Sequence, residues 1–295
     1  MKSQDGVERK KAHHEGDTMY DAIIIGGGPA GLQAALTLGR IHRSVLVVDS
    51  GSYRNAPTEH LHNLIGFDGA PPADLRAAAR RDLAGYATVE YAGGTVAEVR
   101  GDAGAFEVVF ADGQSESTRA VVLATGVTDE LADIPGLAEQ WGRRVAHCPF
   151  CHGHEFAGRR IGILASDPAR LAHLGGLLRP ISSDLVPVDG VERIDEHGDG
   201  LRLTLADGST VDVDGLFASS TVRASPLVAA LGLEVGASGG VLIDPMGRTS
   251  RPGVYAAGDT AHLRELPGAM QSIAAAIAAG MMAGATVAAD ALAHT

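Results

Sequence analysis

The stretch YDAIIIGGGPAGLQAALTLGR, Tyr20 to Arg40, limits the fold more than any other part of the 295-residue chain. Ala22–Ile25 is short, apolar and branched, which predicts a buried parallel strand. Gly26, Gly28 and Gly31 follow at G-x-G-x-x-G spacing, with Pro29 and Ala30 between them, and Leu32–Arg40 has helical spacing. A strand that turns directly into a helix needs the first glycine for the tight turn. The second lets the backbone approach a pyrophosphate, and the third lets helix and strand pack closely. The helix N-terminus then offers free N–H groups and a positive dipole end to the phosphates. The next strand, SVLVVDSG, ends in Asp49, 18 residues beyond Gly31 and suited to accept the hydroxyls of an adenosine ribose. The whole pattern predicts a dinucleotide-binding α/β domain.

The chain is long enough for two such domains. A formal net charge of −12 argues against a nucleic-acid partner, which calls for a basic face. Residues 1–18 are polar and charged with no apolar core, so they read as a disordered extension rather than a secretory signal. A cytoplasmic protein is the expectation. Ile273–Ala289 carries no charge, but it consists mostly of Ala and Gly, so it reads as a packed helix rather than a membrane span.

AHCPFCHGHEF, Ala146 to Phe156, holds both cysteines of the chain, Cys148 and Cys151, among His147, His152 and His154. C-x-x-C-H matches a haem attachment site, Cys with His matches zinc, and C-x-x-C matches a redox dithiol. Haem attachment needs an export machinery that the absent signal disfavours. Structural zinc takes four ligands, and no second separated pair exists. A pair of inert thiols is the remaining alternative. Two sulfurs at this spacing can close a small disulfide ring, and one of such a pair often has a lowered pKa that makes it the attacking thiolate.

Two further stretches carry a resemblance. GVYAAGD, Gly253 to Asp259, is similar to the second flavin motif of the two-dinucleotide-fold flavoproteins, and RAVVLATG, Arg119 to Gly126, to the strand and turn by which that family leaves its FAD domain. With the cysteine pair between them, the chain from Tyr20 onward resembles the low-molecular-weight thioredoxin reductases. That resemblance implies FAD. It implies contacts from Ala124, Thr125 and Gly126, ribityl binding by Gly258 and Asp259, a helix beginning near Gln271, Ser272 and Ile273 that points at the flavin ring, and a contact from Asn63. It also implies that Cys148 exchanges with substrate and Cys151 faces the flavin.

Thioredoxin reductases carry aspartate directly after the second cysteine, where this chain has His152. The run Thr128–Glu155, ending HCPFCHGHE, resembles a subgroup instead: the FAD-dependent dithiol oxidases that close disulfides in natural products such as holomycin and gliotoxin. His152 is then the candidate base, since imidazole titrates near neutrality, and His147 is a second candidate. His154 reads as a surface or structural residue. His60 and His62 either line a substrate cavity or sit in a solvated loop.

A second dinucleotide fold is due at RRIGILASDPARLAHLGGLL, yet Ala165, Ser166 and Asp167 stand where its glycines belong. The Asp167 carboxylate would repel a pyrophosphate, and no basic cluster follows SDLVPVDG to hold a 2′-phosphate. The expectation is an α/β protein with two Rossmann-like domains of three-layer ββα architecture. The FAD domain takes 19–127 and 242–295. A central domain, 128–241, is inserted into it, carries C-x-x-C and does not bind NADPH. The expected activity is oxidation of a small-molecule dithiol, with O2 reoxidising the flavin to give H2O2, and by resemblance the protein is a homodimer. The rivals are a nicotinamide- or ferredoxin-dependent disulfide reductase and a non-enzymatic flavin- or zinc-binding module.

Overall fold

Every side chain of Ala22–Ile25 is buried, as an unbroken apolar run requires of a strand covered on both faces. In the computed structural model, which describes residues 19–292, it is the middle of a five-stranded parallel sheet. The order is Val89–Gly93, Val45–Asp49, Ala22–Ile25, Val121–Leu123, Val254–Ala256. The chain builds to one side of the first strand and then to the other. Such a reversal opens a crevice at the carboxyl ends of the strands. The extension read at residues 1–18 lies outside the described residues.

Side chains alternate across this sheet and divide the core in two. Ile23, Ile25, Leu46, Val48 and Leu123 pack against Phe106, Val108 and Phe110 of a three-stranded antiparallel meander, Val96–Asp102, Ala105–Phe110 and Ser115–Thr118. Ala22, Ile24, Val45 and Val47 pack against Ala34, Ala35 and Leu38 of the helix Pro29–Gly39 and Ala276, Ala283 and Val287 of the helix Ile273–Leu292. The layers are therefore meander, sheet and helices, the expected ββα. The strands that flank the meander in sequence, Val89–Gly93 and Val121–Leu123, belong to the parallel sheet. The first helix starts at Pro29, three residues before the apolar periodicity, because proline at the first turn is already set to a helical φ.

Ile273–Leu292 is long and apolar enough by length and composition to cross a membrane. Here its small-residue face is buried on the first helix. A side chain at Gly280 would strike the Ala30 backbone, with Ala30 Cα 3.0 Å away, and one at Gly284 would meet Thr37 Cβ at 3.1 Å. The two helices thus approach nearly backbone to backbone.

The same layering recurs in a second compact unit, Asn55–Pro72 with Asp129–Thr221. Its parallel sheet runs Asp184–Val188, Arg160–Leu164, Gly215–Ala218, Val145–Ala146. The meander Val191–His197, Gly200–Leu205 and Thr210–Val213 covers one face, and the helix Pro168–Leu178 packs through Leu174 and Leu178 on the other. The first unit resumes at Val222, twenty residues before the boundary read from sequence. Leu227, Val228, Leu231 and Leu233 are buried in the core of that first unit, which holds the segment there.

Candidate functional site

The glycine turn is built as the motif requires. Gly26 has φ +120°, a conformation that L side chains rarely adopt, and a Cβ there would strike the Ala124 carbonyl, with Thr125 N 3.2 Å away. A Cβ at Gly31 would collide with the Gly26 carbonyl oxygen and meet Ile24 Cγ2 at 3.2 Å. Gly28 differs: nothing lies within 4 Å of its Cβ position. It is also the N-cap of the first helix and supplies no side-chain cap, so the first N–H groups of that helix have no side-chain acceptor there. This open, uncapped helix start beside a close-packed turn fits a dinucleotide pyrophosphate.

Asp49 ends its strand buried, 6% exposed. Its carboxylate accepts from Gly51 N at 3.0 Å and from the hydroxyls of Tyr53 and Tyr91. Burial first, and then the Asp49 carboxylate, push both phenols up and keep them protonated as donors. A ribose hydroxyl would share or replace those phenols. Gly27, which the motif leaves unspecified, is glycine for a local reason: its Cβ would press on the Asp49 carboxylate and lie 2.6 Å from the Tyr91 oxygen.

The other residues expected to contact FAD gather at the same sheet edge. Ala124 N bonds Ile25 O at 2.9 Å, Thr125 Oγ1 reaches Thr260 Oγ1 at 3.3 Å, and Gly126 has φ +61°. Asp259 lies in the short turn Gly258–Thr260. Arg54 Nη1 donates to Asp259 Oδ2 and to Gln271 Oε1, both at 2.8 Å, tying the turn to the segment that leads into the last helix. Ser272 Oγ accepts from Ala275 N at 3.1 Å, and Ile273 opens the helix. Asn63, the remaining residue of that set, is described within its own unit. It belongs to the second unit, is exposed, has φ +62°, and donates its backbone N–H to Asp68 Oδ1 at 2.7 Å.

In the second unit Cys148 and Cys151 form a disulfide, Cα to Cα 5.3 Å, at the start of the short helix Pro149–His152. Cys148 follows the strand Val145–Ala146, whose carboxyl end lies beside those of Gly215–Ala218 and then Arg160–Leu164. His147 stacks on Trp141, centroids 5.7 Å apart. Phe150, between the two cysteines, is exposed, and so is His154.

Loop 55–72 supplies the other wall. Thr58 Oγ1 stands 3.4 Å from His152 Nε2, and His62 Nε2 stands 3.4 Å from Glu155 Oε1. His152 Nδ1 is buried with no hydrogen-bond partner among the described residues. Burial holds the His152 pKa below the ordinary imidazole value. Glu155 and the Gly142 carbonyl pull it back up, and His62 pushes it down. Desolvation, the largest of these influences, favours the neutral form of the ring.

The turn that replaces the second glycine motif is occupied. Asp167 caps the helix Pro168–Leu178, its Oδ1 accepting from Ala169 N at 3.0 Å. Arg170 Nε donates to Ser219 Oγ at 3.2 Å and Nη2 to the His147 carbonyl at 3.4 Å. Arg54, Tyr53, Tyr91, Thr58, Glu155 and Arg170 carry no local motif, and sequence reading passed over them.

Two ββα units, one with a glycine cradle and one with a C-x-x-C disulfide, are the arrangement of a disulfide oxidoreductase. The chain belongs to the pyridine nucleotide-disulphide oxidoreductase family, whose profile matches residues 20–176 and 184–283. Among its relatives it is 36% identical to the thioredoxin reductase tcpT of Claviceps purpurea, over 92% of this chain and 95% of that one. It is 32% identical to the thioredoxin reductase sirT of Leptosphaeria maculans, over 92% and 94%. The crystal structure of HlmI matches with a TM-score of 0.84 at 34% identity, covering 95% of this chain and 94% of that one.

Proposed function

We propose that this protein is an FAD-dependent dithiol oxidase that closes an intramolecular disulfide in a small-molecule dithiol. The observation that carries this reading is the contrast between the two helix starts. At Gly28 the first N–H groups have no side-chain cap, whereas at the corresponding place in the second unit the Asp167 carboxylate is already the cap. A phosphate entering there would displace an anion that the helix dipole already stabilises, and would meet its negative charge. This supports FAD in the first unit and disfavours a nicotinamide dinucleotide in the second.

Gly26, Gly28 and Gly31 would hold the pyrophosphate, Asp49 the adenosine ribose, and Asp259 the ribityl chain. The chemistry FAD supplies is two-electron transfer from the reduced cysteine pair to O2, giving H2O2. The chain's own residues act on sulfur. His152 takes the proton of one substrate thiol. The resulting thiolate attacks Cys148, so a substrate–Cys148 bond forms and the Cys148–Cys151 bond breaks, leaving Cys151 as thiolate. The second substrate thiol then attacks the first sulfur and releases Cys148, its proton passing to the departing Cys148 sulfur, so the substrate loses two electrons and the cysteine pair gains them. We further infer a cytoplasmic homodimer with no nucleic-acid or membrane partner, on the net charge of −12 and the family resemblance.

The names of its relatives favour a second reading, a disulfide reductase driven by NAD(P)H or ferredoxin. An anaerobic titration of the FAD-loaded protein, followed by flavin absorbance, separates the two. The oxidase reading expects dithiothreitol to bleach the flavin, air to restore it with release of H2O2, and NADPH to leave it oxidised. Rapid bleaching by NADPH overturns it.

A further inference from the structure

The loop that follows Asp49 reaches two acids of the first unit with two consecutive residues. Tyr53 gives its hydroxyl hydrogen to Asp49 Oδ2, at the end of the strand Val45–Asp49. Arg54, the next residue, reaches Asp259 in the turn Gly258–Thr260. That turn is seated on the glycine cradle. Gly258 has φ +76°, and a Cβ there would lie 2.9 Å from Ala30 Cβ. Thr260 Oγ1 is 3.3 Å from Thr125 Oγ1, which holds the other end of the turn. Arg54, Asp259 and Gln271 all belong to this unit.

A single nitrogen makes the connection. Arg54 Nη1 carries two hydrogens and gives one to Asp259 Oδ2 and one to Gln271 Oε1, each at 2.8 Å. Asp259 Oδ2 is thereby taken, while its Oδ1 accepts from no donor among the described residues. The Gln271 amide is fixed in sense, with its oxygen on Arg54 and its NH2 left as a donor. A guanidinium has no acceptor and keeps its charge, so neither bond can reverse. The side chains of Arg54 and Asp259 are 15% and 21% exposed, and water screens their ion pair only in part.

We propose that Arg54 is a positioning residue for the ribityl–flavin half of FAD: it holds Asp259 Oδ1 as an acceptor and Gln271 Nε2 as a donor at fixed places beside the cradle. A sugar-alcohol hydroxyl both donates and accepts, so an acceptor paired with a donor suits the ribityl chain. The adenosine and the pyrophosphate rely on Asp49 and the glycines instead. Fixing both groups in advance spares the ordering of two side chains when the ligand binds. The inference rests on the FAD reading and adds to it a residue outside every motif that suggested the cofactor.

The test compares FAD with ADP, which carries the adenosine and pyrophosphate but neither ribityl chain nor flavin, by calorimetric titration of the flavin-free full chain. The readout is the ratio of FAD affinity to ADP affinity, which general damage to the cradle would leave unchanged. Arg54→Met is expected to lower it about tenfold, ~1.4 kcal/mol, and Arg54→Lys by less, since an ammonium can still donate to both oxygens. Gln271→Leu leaves the guanidinium on Asp259 and should lower the ratio about threefold, which keeps the proposal testable if Arg54→Met does not fold. In the Arg54→Met background, Asp259→Asn should cost less FAD affinity than it costs the parent chain, because the carboxylate is already out of place. An unchanged ratio in these variants overturns the proposal, as does an Asp259→Asn cost that is the same in both backgrounds. A parent chain that binds FAD no more tightly than ADP overturns the FAD reading itself, and the proposal with it.

Discussion

Gly28 and Gly31 stand three residues apart in one motif, yet the structure assigns them different work, and two single substitutions separate it. In Gly31→Ala the new methyl collides with the Gly26 carbonyl oxygen and lies 3.1 Å from Gly26 C. The atom that must yield is backbone inside the tight turn, so relief is expensive. Overpacking of this kind costs about 3 kcal/mol at the upper end of its usual range, and the better helix propensity of alanine returns about 1. The net loss is about 2 kcal/mol, or roughly 4–8 °C in Tm for a domain of this size. In Gly28→Ala the methyl meets no atom within 4 Å, and φ −80°, ψ −178° suits any residue. Alanine is a poorer N-cap than glycine by a fraction of a kcal/mol, and it restricts the unfolded chain by about as much, so the melting temperature should move by less than about 2 °C. The same methyl enters the space where a pyrophosphate would meet backbone N–H groups, and FAD affinity should fall by about tenfold or more, ~1.4 kcal/mol. The assays are thermal melts of flavin-free protein and FAD titration by quenching of flavin fluorescence. FAD binding in Gly28→Ala as tight as in the parent chain would refute the cradle, and an unshifted melt in Gly31→Ala would refute the packing argument.

Two more expectations follow from packing and titration. Gly280→Val places a branched side chain against the Ala30 backbone and should force the last helix off the first, lowering the melting temperature of the flavin-free protein by several degrees. A melt within 1 °C of the parent would show that the helices are not tightly seated. His152 has a folded-state pKa below its unfolded value. The unfolded chain therefore binds more protons between those two values, and stability falls as pH drops below about 6.5 until the folded pKa is passed. His152→Asn should flatten that part of the Tm-against-pH curve measured from pH 7.5 to 5. An unchanged curve would mean that His152 contributes nothing to acid sensitivity.

The parts of the molecule that sequence predicted best are those where one segment carries the whole instruction. Ala22–Ile25, the three glycines and Asp49 lie within thirty residues, and the hydrophobic period and turn chemistry act locally there. Ala165, Ser166 and Asp167 were readable for the same reason, although capping of the helix by Asp167 replaces the simple repulsion expected. Arg54 was not readable, because its meaning depends on Asp259 and Gln271, more than two hundred residues later. Thr58 acquires its role only when loop 55–72 meets His152, 94 positions on. The same folding carries Asn63 into the unit of the disulfide rather than that of the glycine cradle. The return to the first unit at Val222 had no punctuation to mark it, since Leu227, Val228 and Leu231 read as any short apolar helix until their core is known.

The seating of Gly280 on Ala30 has a consequence for the order in which the chain matures. Those residues are 250 positions apart, and the whole of the disulfide-bearing unit is encoded between Asn55 and Thr221. At about 5–20 residues per second of synthesis, the first helix would wait roughly 12–50 s for the partner that covers its alanine face. The unit begun first is thus completed last. A nascent chain halted before Gly280 would already contain every residue of the thiol chemistry, with an apolar stripe still uncovered and a nucleotide cradle without its backing helix.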